Sequence, residues 1–149
     1  MDILFSEIDQ TGIIKLNRPK ALNALNLEMA KKFYDKLLEW EENNNISRVI
    51  LYGEGKHFCA GGDVKSLVLA GKNNQLKYDF FKIEYQLNYL ISQFSKEFIS
   101  IWNGVVMGGG VGLSIYGDHR LVTDNSKFAM PEASIGFFPD VGGSYFLTN

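Results

Sequence analysis

The chain has 149 residues, which is enough for one domain with a hydrophobic core, and 46% of them are hydrophobic. Its formal net charge of −2 gives no indication of a nucleic-acid or membrane surface, and no apolar run reaches the roughly 18 residues that a membrane span needs. The single cysteine excludes an internal disulfide, and the first residues lack the basic stretch and long apolar run of a targeting segment.

The first third of the chain alternates between strand and helix patterns. Residues 3–8 and 13–16 predict a hairpin, because a turn sequence separates two strand-like runs. Asn26 is placed to cap a helix over 27–42, whose apolar residues recur with the spacing i, i+3, i+4, i+7. The short apolar run 49–52 is bounded by glycine, which predicts a buried strand.

The remaining elements continue this alternation. A second helix is predicted over 76–94 and a strand over 98–102. A short helix is expected to continue through 113–116, and strands are expected over 120–123 and 128–130. Strands that alternate with helices indicate an α/β fold.

Two glycine-rich segments each follow a predicted strand and open a helical stretch. They cover residues 53–63 and 104–112. Small residues let a ligand approach the main chain, and the N–H groups at a helix start are unpaired. Two such turns facing each other would form an oxyanion hole for acyl transfer, although tight turns and close packing explain the glycines equally well.

Neither segment matches a nucleotide-binding loop, and Tyr116 stands where a serine nucleophile elbow needs glycine.

Two carboxylates lie in apolar surroundings near the end of the chain. Glu132 follows a Met-Pro pair, and Asp140 is flanked by phenylalanine, proline and glycine. Partial burial would raise their pKa values and suit them to proton transfer. The alternative is that Glu132 is a turn carboxylate and Asp140 a helix N-cap.

Cysteine and histidine give weaker signals. Cys59 has no second element that would activate it, so we expect it to be a small buried residue. His57 and His119 do not have the spacing of metal ligands, and we predict no metal site.

Four motifs follow one another along the chain. They are Asn-Arg-Pro-Lys-Ala-Leu-Asn-Ala-Leu at 17–25, Phe-Cys-Ala-Gly-Gly-Asp-Val at 58–64, Met-Gly-Gly-Gly at 107–110 and Met-Pro-Glu at 130–132. In order and in spacing they resemble the enoyl-CoA hydratase/isomerase (crotonase) superfamily. The resemblance extends from near residue 3 to the end, and within the superfamily it is strongest to members that hydrolyse 3-hydroxyisobutyryl-CoA in valine breakdown.

The resemblance implies a role for each of several residues. Gly62 and Gly109 would supply the oxyanion-hole N–H groups. Substrate contacts would come from Glu84, Gly109, Glu132 and Asp140. Coenzyme A would be bordered by Lys20, Ala21, Ala24 and Lys65.

One departure from the family pattern affects the expected reaction. Hydratases of this family use two glutamates, and Gly112 occupies the place of the first. Glu132 corresponds to the second, and Asp140 stands where hydratases commonly have glycine. Hydrolysis of a thioester by Glu132 and Asp140 therefore fits better than hydration. A hydratase or isomerase with one working glutamate and a non-catalytic acyl-CoA-binding protein are the alternatives.

The resemblance also implies the wider setting of the chain. We expect one domain over 1–149 with the crotonase-type ββα spiral core, truncated before the C-terminal helices of the family as a new helix begins near 146–149. The expected partner is a small-molecule acyl-CoA, with no cofactor beyond the coenzyme A of the substrate and no nucleic acid or membrane. A homo-oligomer and a mitochondrial location are family expectations.

Overall fold

The computed structural model describes residues 1–69 and 71–148 and confirms an α/β fold. The strands are β1 (Ile3–Ile8), β2 (Thr11–Leu16), β3 (Arg48–Gly53), β4 (Glu97–Trp102), β5 (Val105–Met107), β6 (His119–Val122) and β7 (Lys127–Ala129). The α-helices are α1 (Leu27–Glu42), α2 (Val64–Leu69), α3 (Asn74–Gln93), α4 (Gly109–Gly112) and α5 (Gly143–Phe146). Two 3-10 turns cover Pro19–Ala21 and Glu132–Ile135.

The strands form two sheets. The larger has the order β1-β2-β3-β4-β6, in which β1 and β2 are antiparallel and every later pair is parallel. The smaller pairs β5 with β7 in parallel. Parallel neighbours need crossover connections, and α1 and α3 supply two of them. Among the described residues, no helix is both long and apolar enough to cross a membrane.

The core lies between the larger sheet and the helices that cross it. Helix α1 begins at its predicted cap, since the Asn26 side chain accepts a hydrogen bond of 2.8 Å from the Met29 N–H. Its inner face buries Phe33 and Leu37 completely, as the helical spacing predicted, and also Trp40. Leu38, which the same spacing placed on this face, is exposed. Helix α1 also packs against α3, the helix that carries residues of the candidate site.

Most predicted elements are confirmed within two residues, and three details differ. The helix expected through 113–116 is wrong, because α4 ends at Gly112 and turns follow. There the Ser114 hydroxyl bonds to the Gly110 and Val111 carbonyl oxygens, which competes with a continuing helix. Strand β5 was not predicted, since it lies inside a glycine-rich segment. The last helix, α5, begins at Gly143, earlier than expected, and Asn149 lies outside the described residues.

Candidate functional site

The two glycine-rich segments lie side by side. An isolated bridge pairs Cys59 with Val106, and the Cys59 N–H donates to the Val105 carbonyl over 3.0 Å. A Cβ atom added to Gly109 would lie 3.2 Å from the Gly62 nitrogen. The two peptide nitrogens named from the sequence are therefore neighbours across one narrow gap.

Both of these N–H groups are available to a ligand. Gly109 is the first residue of α4, and a helix provides no partner for its first N–H groups. Neither the Gly62 nor the Gly109 N–H donates a hydrogen bond to any residue in 1–69 or 71–148. Gly108, with φ of 51°, has the left-handed backbone that glycine tolerates, and it turns the chain from β5 into α4.

A cavity of about 500 Å³ brings the predicted site residues together. Its floor is the pair of glycine segments, and its sides come from α3 and from the 3-10 turn after β7. Five residues named from the sequence line it, namely Gly62, Glu84, Gly109, Glu132 and Asp140. A larger cavity of about 850 Å³ shares Asp140 but contains neither glycine segment, so the smaller one is the candidate active site.

Glu84 projects from α3 into this cavity and is only 2% exposed. Its Oε1 atom lies directly where a side chain on Gly109 would begin, so the carboxyl group is beside the α4 N-terminus. Burial raises the pKa of Glu84 to about 8, and the nearby charges of Asp140 and Glu132 add to the rise. The group can hold a proton near neutral pH.

Glu132 opens the second 3-10 turn and is 8% exposed. Both of its carboxyl oxygens are buried without a hydrogen-bond partner among the described residues. A Cβ on Gly108 would lie 2.8 Å from Glu132 Oε1, which places this oxygen against the glycine triplet. Burial raises the pKa of the Glu132 carboxyl group, and the nearby charge of Asp140 adds to the rise.

Asp140 closes the site from the segment that precedes α5. Its Oδ2 atom accepts a hydrogen bond of 2.7 Å from the Tyr85 hydroxyl, the next residue after Glu84 on α3. Burial raises the pKa of Asp140, and the bond from Tyr85 partly opposes the rise. The sequence reasoning missed Tyr85, because its partner is distant along the chain and no local signal in the sequence indicates the bond.

The segment expected to border coenzyme A lies beside the first glycine segment. The Ala60 N–H donates to the Leu22 carbonyl over 3.0 Å, and the Leu25 N–H donates to the Gly61 carbonyl over 2.8 Å. Ala21 and Ala24 are half-buried in this segment, whereas Lys20 and Lys65 are exposed and do not line the cavity. Their contacts with coenzyme A stay predictions.

The cysteine and histidines lie apart from the cavity. Cys59 is fully buried, and burial raises the pKa of its thiol to about 12, so it is not a reactive thiolate. His57 Nδ1 accepts a hydrogen bond of 3.1 Å from the Val105 N–H, which is a structural contact. His119 lies 3.3 Å from Glu97 on the exposed face of the sheet. Within the described residues, no group of three or more His, Cys, Asp or Glu side chains could hold a metal ion.

Comparison with known proteins gives close matches in sequence. A family model described as enoyl-CoA hydratase/isomerase matches residues 11–149. A mitochondrial 3-hydroxyisobutyryl-CoA hydrolase of Danio rerio is 49% identical over 148 residues, which cover 98% of this chain and 39% of the relative. The 3-hydroxyisobutyryl-CoA hydrolase 1 of Arabidopsis thaliana is 47% identical over 148 residues, with the same coverage.

Solved structures also match nearly the whole of this chain. A carnitinyl-CoA dehydratase from Mycobacterium thermoresistibile has a TM-score of 0.96 and 42% identity, covering 99% of this chain and 44% of its own. An enoyl-CoA hydratase from Rhodobacter sphaeroides has a TM-score of 0.95 and 39% identity, with the same coverage. The chain therefore spans less than half the length of these relatives, 39% of the curated sequences and 44% of the solved chains.

Proposed function

The chain belongs to the enoyl-CoA hydratase/isomerase family, and from this premise we propose that it hydrolyses an acyl-CoA thioester, with 3-hydroxyisobutyryl-CoA as the substrate. The observation that carries the proposal is the set of acids around the two free glycine N–H groups. Glu132 and Asp140 line the cavity with them, and Gly112 contributes no acid. The names of the curated relatives support the same substrate.

In this proposal the thioester carbonyl oxygen accepts hydrogen bonds from Gly62 and Gly109. Negative charge develops on that oxygen when the carbonyl carbon becomes tetrahedral. Two preorganised donors in a site shielded from water stabilise this charge more than they stabilise the substrate, and loss of one such donor typically costs about 10²–10³ in rate. The adjacent nitrogens of the two segments support this role.

The two carboxylates then bring about nucleophilic attack on the carbonyl carbon, each in a different role. Glu132 either attacks it directly, forming an anhydride that water hydrolyses, or removes a proton from the attacking water. Asp140 orients that water or relays its proton. A carbon–oxygen bond forms, the carbon–sulfur bond breaks, and the proton ends on the departing sulfur, so coenzyme A leaves as the thiol. Burial raises the pKa of both acids above their ordinary values, which is the direction that favours proton transfer.

Release of free thiol from 3-hydroxyisobutyryl-CoA tests the reaction. We expect Glu132→Gln and Asp140→Asn each to lower kcat at least about 10²-fold, because each loses a group that transfers a proton. Asp35→Asn, an exposed acid on the outer face of α1, is the matched control and should keep full turnover. Intact turnover in both site variants would contradict the assigned roles.

Thiol release, together with the absorbance of an enoyl-CoA, separates the alternative functions. A hydratase or isomerase with one working glutamate would remove the 2-enoyl absorbance of crotonyl-CoA, and the names of the structural relatives favour this candidate. A non-catalytic binder would take up acyl-CoA without thiol release.

We also propose that no cofactor beyond the substrate's coenzyme A is needed, so turnover should survive dialysis against a chelator. A mitochondrial location, proposed from the names of the vertebrate relatives, is testable by cell fractionation.

A further inference from the structure

Gly112 lies at the end of α4, where another residue packs into the space that a side chain would need. A Cβ atom on Gly112 would lie 2.7 Å from Val141 Cβ and 2.9 Å from Val141 Cγ1. It would also lie 2.9 Å from Asn88 Oδ1, on α3. Real Cβ atoms do not approach heavy atoms so closely. Glycine at 112 therefore has two effects. It lacks the carboxyl group that hydratases of the family have at this place, and it leaves room for the Val141 side chain to pack.

Val141 has an unusual backbone conformation. Its φ is 44°, which is in the left-handed region, and a β-branched residue rarely adopts it. Such a conformation persists only where its surroundings determine it. Two contacts do so here, since the side chain is buried against Gly112 and the Val141 carbonyl accepts a hydrogen bond of 2.7 Å from the Tyr116 hydroxyl.

The residue before Val141 is Asp140, the acid that closes the site. The direction of the Asp140 carboxyl group depends on the backbone of this turn, because Val141 fixes the peptide that joins the two residues. In this conformation of the turn, Asp140 Oδ2 accepts the hydrogen bond of 2.7 Å from the Tyr85 hydroxyl. Gly112, Val141 and Asp140 thus form one continuous set of contacts from α4 to the site.

We propose that Val141 is a positioning residue, and that its side chain, seated on Gly112, holds the left-handed turn that places the Asp140 carboxyl group in the site. The inference rests on the proposed function, in which Asp140 serves hydrolysis. The inference links the missing acid at 112 to the acid at 140, because Gly112 makes room for Val141 and Val141 places Asp140. A side chain at 112 would displace Val141 and, through it, Asp140.

A double-mutant cycle tests this coupling. Gly112→Ala should lower kcat about as much as Asp140→Asn does, at least about 10²-fold, with little change in KM. In the Asp140→Asn background it should cause almost no further loss, because both changes remove the same contribution. Losses that multiply in the double variant would overturn the proposal.

Two further variants cover the case in which Gly112→Ala folds poorly. Val141→Ala lowers the cost of the left-handed backbone but loses the methyl contacts with Gly112, so it should show the same coupling with Asp140→Asn. Gly12→Ala is the matched control, since its Cβ would lie 2.7 Å from Trp40, far from the site. It should lower the melting temperature but leave the kcat of folded protein unchanged.

A measurement without substrate separates failure of this inference from failure of the proposed function. Carbon-13 NMR titration of the Asp140 carboxyl group reports its surroundings directly. In Val141→Ala its pKa should move toward the ordinary value for aspartate, because the group leaves its buried position. An Asp140 titration identical to that of the unaltered protein would overturn the inference, even if no acyl-CoA were hydrolysed. Lack of thiol release together with the shifted titration would reject the proposed function alone.

Discussion

Glu84 is the most deeply buried of the three acids in the site, and it lies beside the other two. Burial and the charges of Asp140 and Glu132 raise its pKa from the ordinary glutamate value of 4.5 to about 8. The folded protein therefore binds a proton at pH values where the unfolded chain has already lost it. Folding is favoured by this proton at low pH, and the advantage disappears as the pH rises through the folded pKa.

The stability of the protein should consequently fall between about pH 4.5 and pH 8, the window between the two pKa values. One such group changes the free energy of unfolding by at most about 1.4 kcal/mol per pH unit. Glu84→Gln carries no proton equilibrium and should flatten this dependence. Urea denaturation across the pH range measures it, with Glu42→Gln at the exposed end of α1 as the control. An equally steep dependence in Glu84→Gln would contradict the burial of a titrating group.

At this scale the sequence indicated the acids but not all of their neighbours. Glu132 and Asp140 were named from their apolar surroundings and Glu84 from the family resemblance, and all three line one cavity. Tyr85 was missed, because its partner Asp140 is 55 residues away and nothing local distinguishes a bonded tyrosine from an exposed one. Asn88 was missed for the same reason, although both of its amide atoms are buried without a partner among the described residues.

Among the elements, the loop between β2 and α1 depends on one buried side chain. Asn23 is fully buried, and its amide nitrogen donates to the Glu54 carbonyl over 3.0 Å and to the His57 carbonyl over 2.7 Å. Its Oδ1 atom accepts a hydrogen bond of 2.9 Å from the Arg18 N–H. With φ of 55°, it also has a left-handed backbone, which asparagine tolerates better than most residues. The loop is thereby tied to the first glycine segment.

Asn23→Ala should loosen this loop, because three hydrogen bonds are lost and alanine disfavours the left-handed backbone. Since the family resemblance predicts that the loop borders coenzyme A, the change should also weaken coenzyme A binding. We expect KM for an acyl-CoA to rise about tenfold, which corresponds to about 1.4 kcal/mol. An N-acetylcysteamine thioester lacks the nucleotide, and its KM should change little. The control is Asn125→Ala, in an exposed turn. Equal increases in KM for both thioesters would show that the loop acts on the acyl site instead.

The elements themselves were largely predictable where periodicity and caps agree. Helix α1 has both, and its bounds are those predicted. Helix α3 begins at Asn74, before its apolar pattern does, because the Asn73 side chain caps it by accepting from the Leu76 N–H over 3.0 Å. The extent of α4 was wrong, since glycine content does not reveal where a helix ends and the Ser114 hydroxyl bonds are local alternatives to it.

At the scale of the whole molecule, strand β6 forms an uncovered edge of the larger sheet. It pairs with β4 on one side only within the described residues, and all four of its residues are exposed. Leu121 and Val122 are 56% and 62% exposed, and as consecutive residues of a strand they face opposite sides of the sheet. An open edge with apolar residues on both faces favours pairing with another chain.

The 149-residue chain should therefore associate in a concentration-dependent way. Val122→Lys places a charge at the edge, which disfavours edge-to-edge pairing, and it should shift the population toward monomer. Sedimentation velocity across a concentration series measures the shift. Leu38→Lys makes a similar change at an exposed position of α1, away from the edge, and should leave association unchanged. Association that both variants reduce equally would indicate nonspecific contact between apolar surfaces, and association that neither reduces would place the contact away from β6.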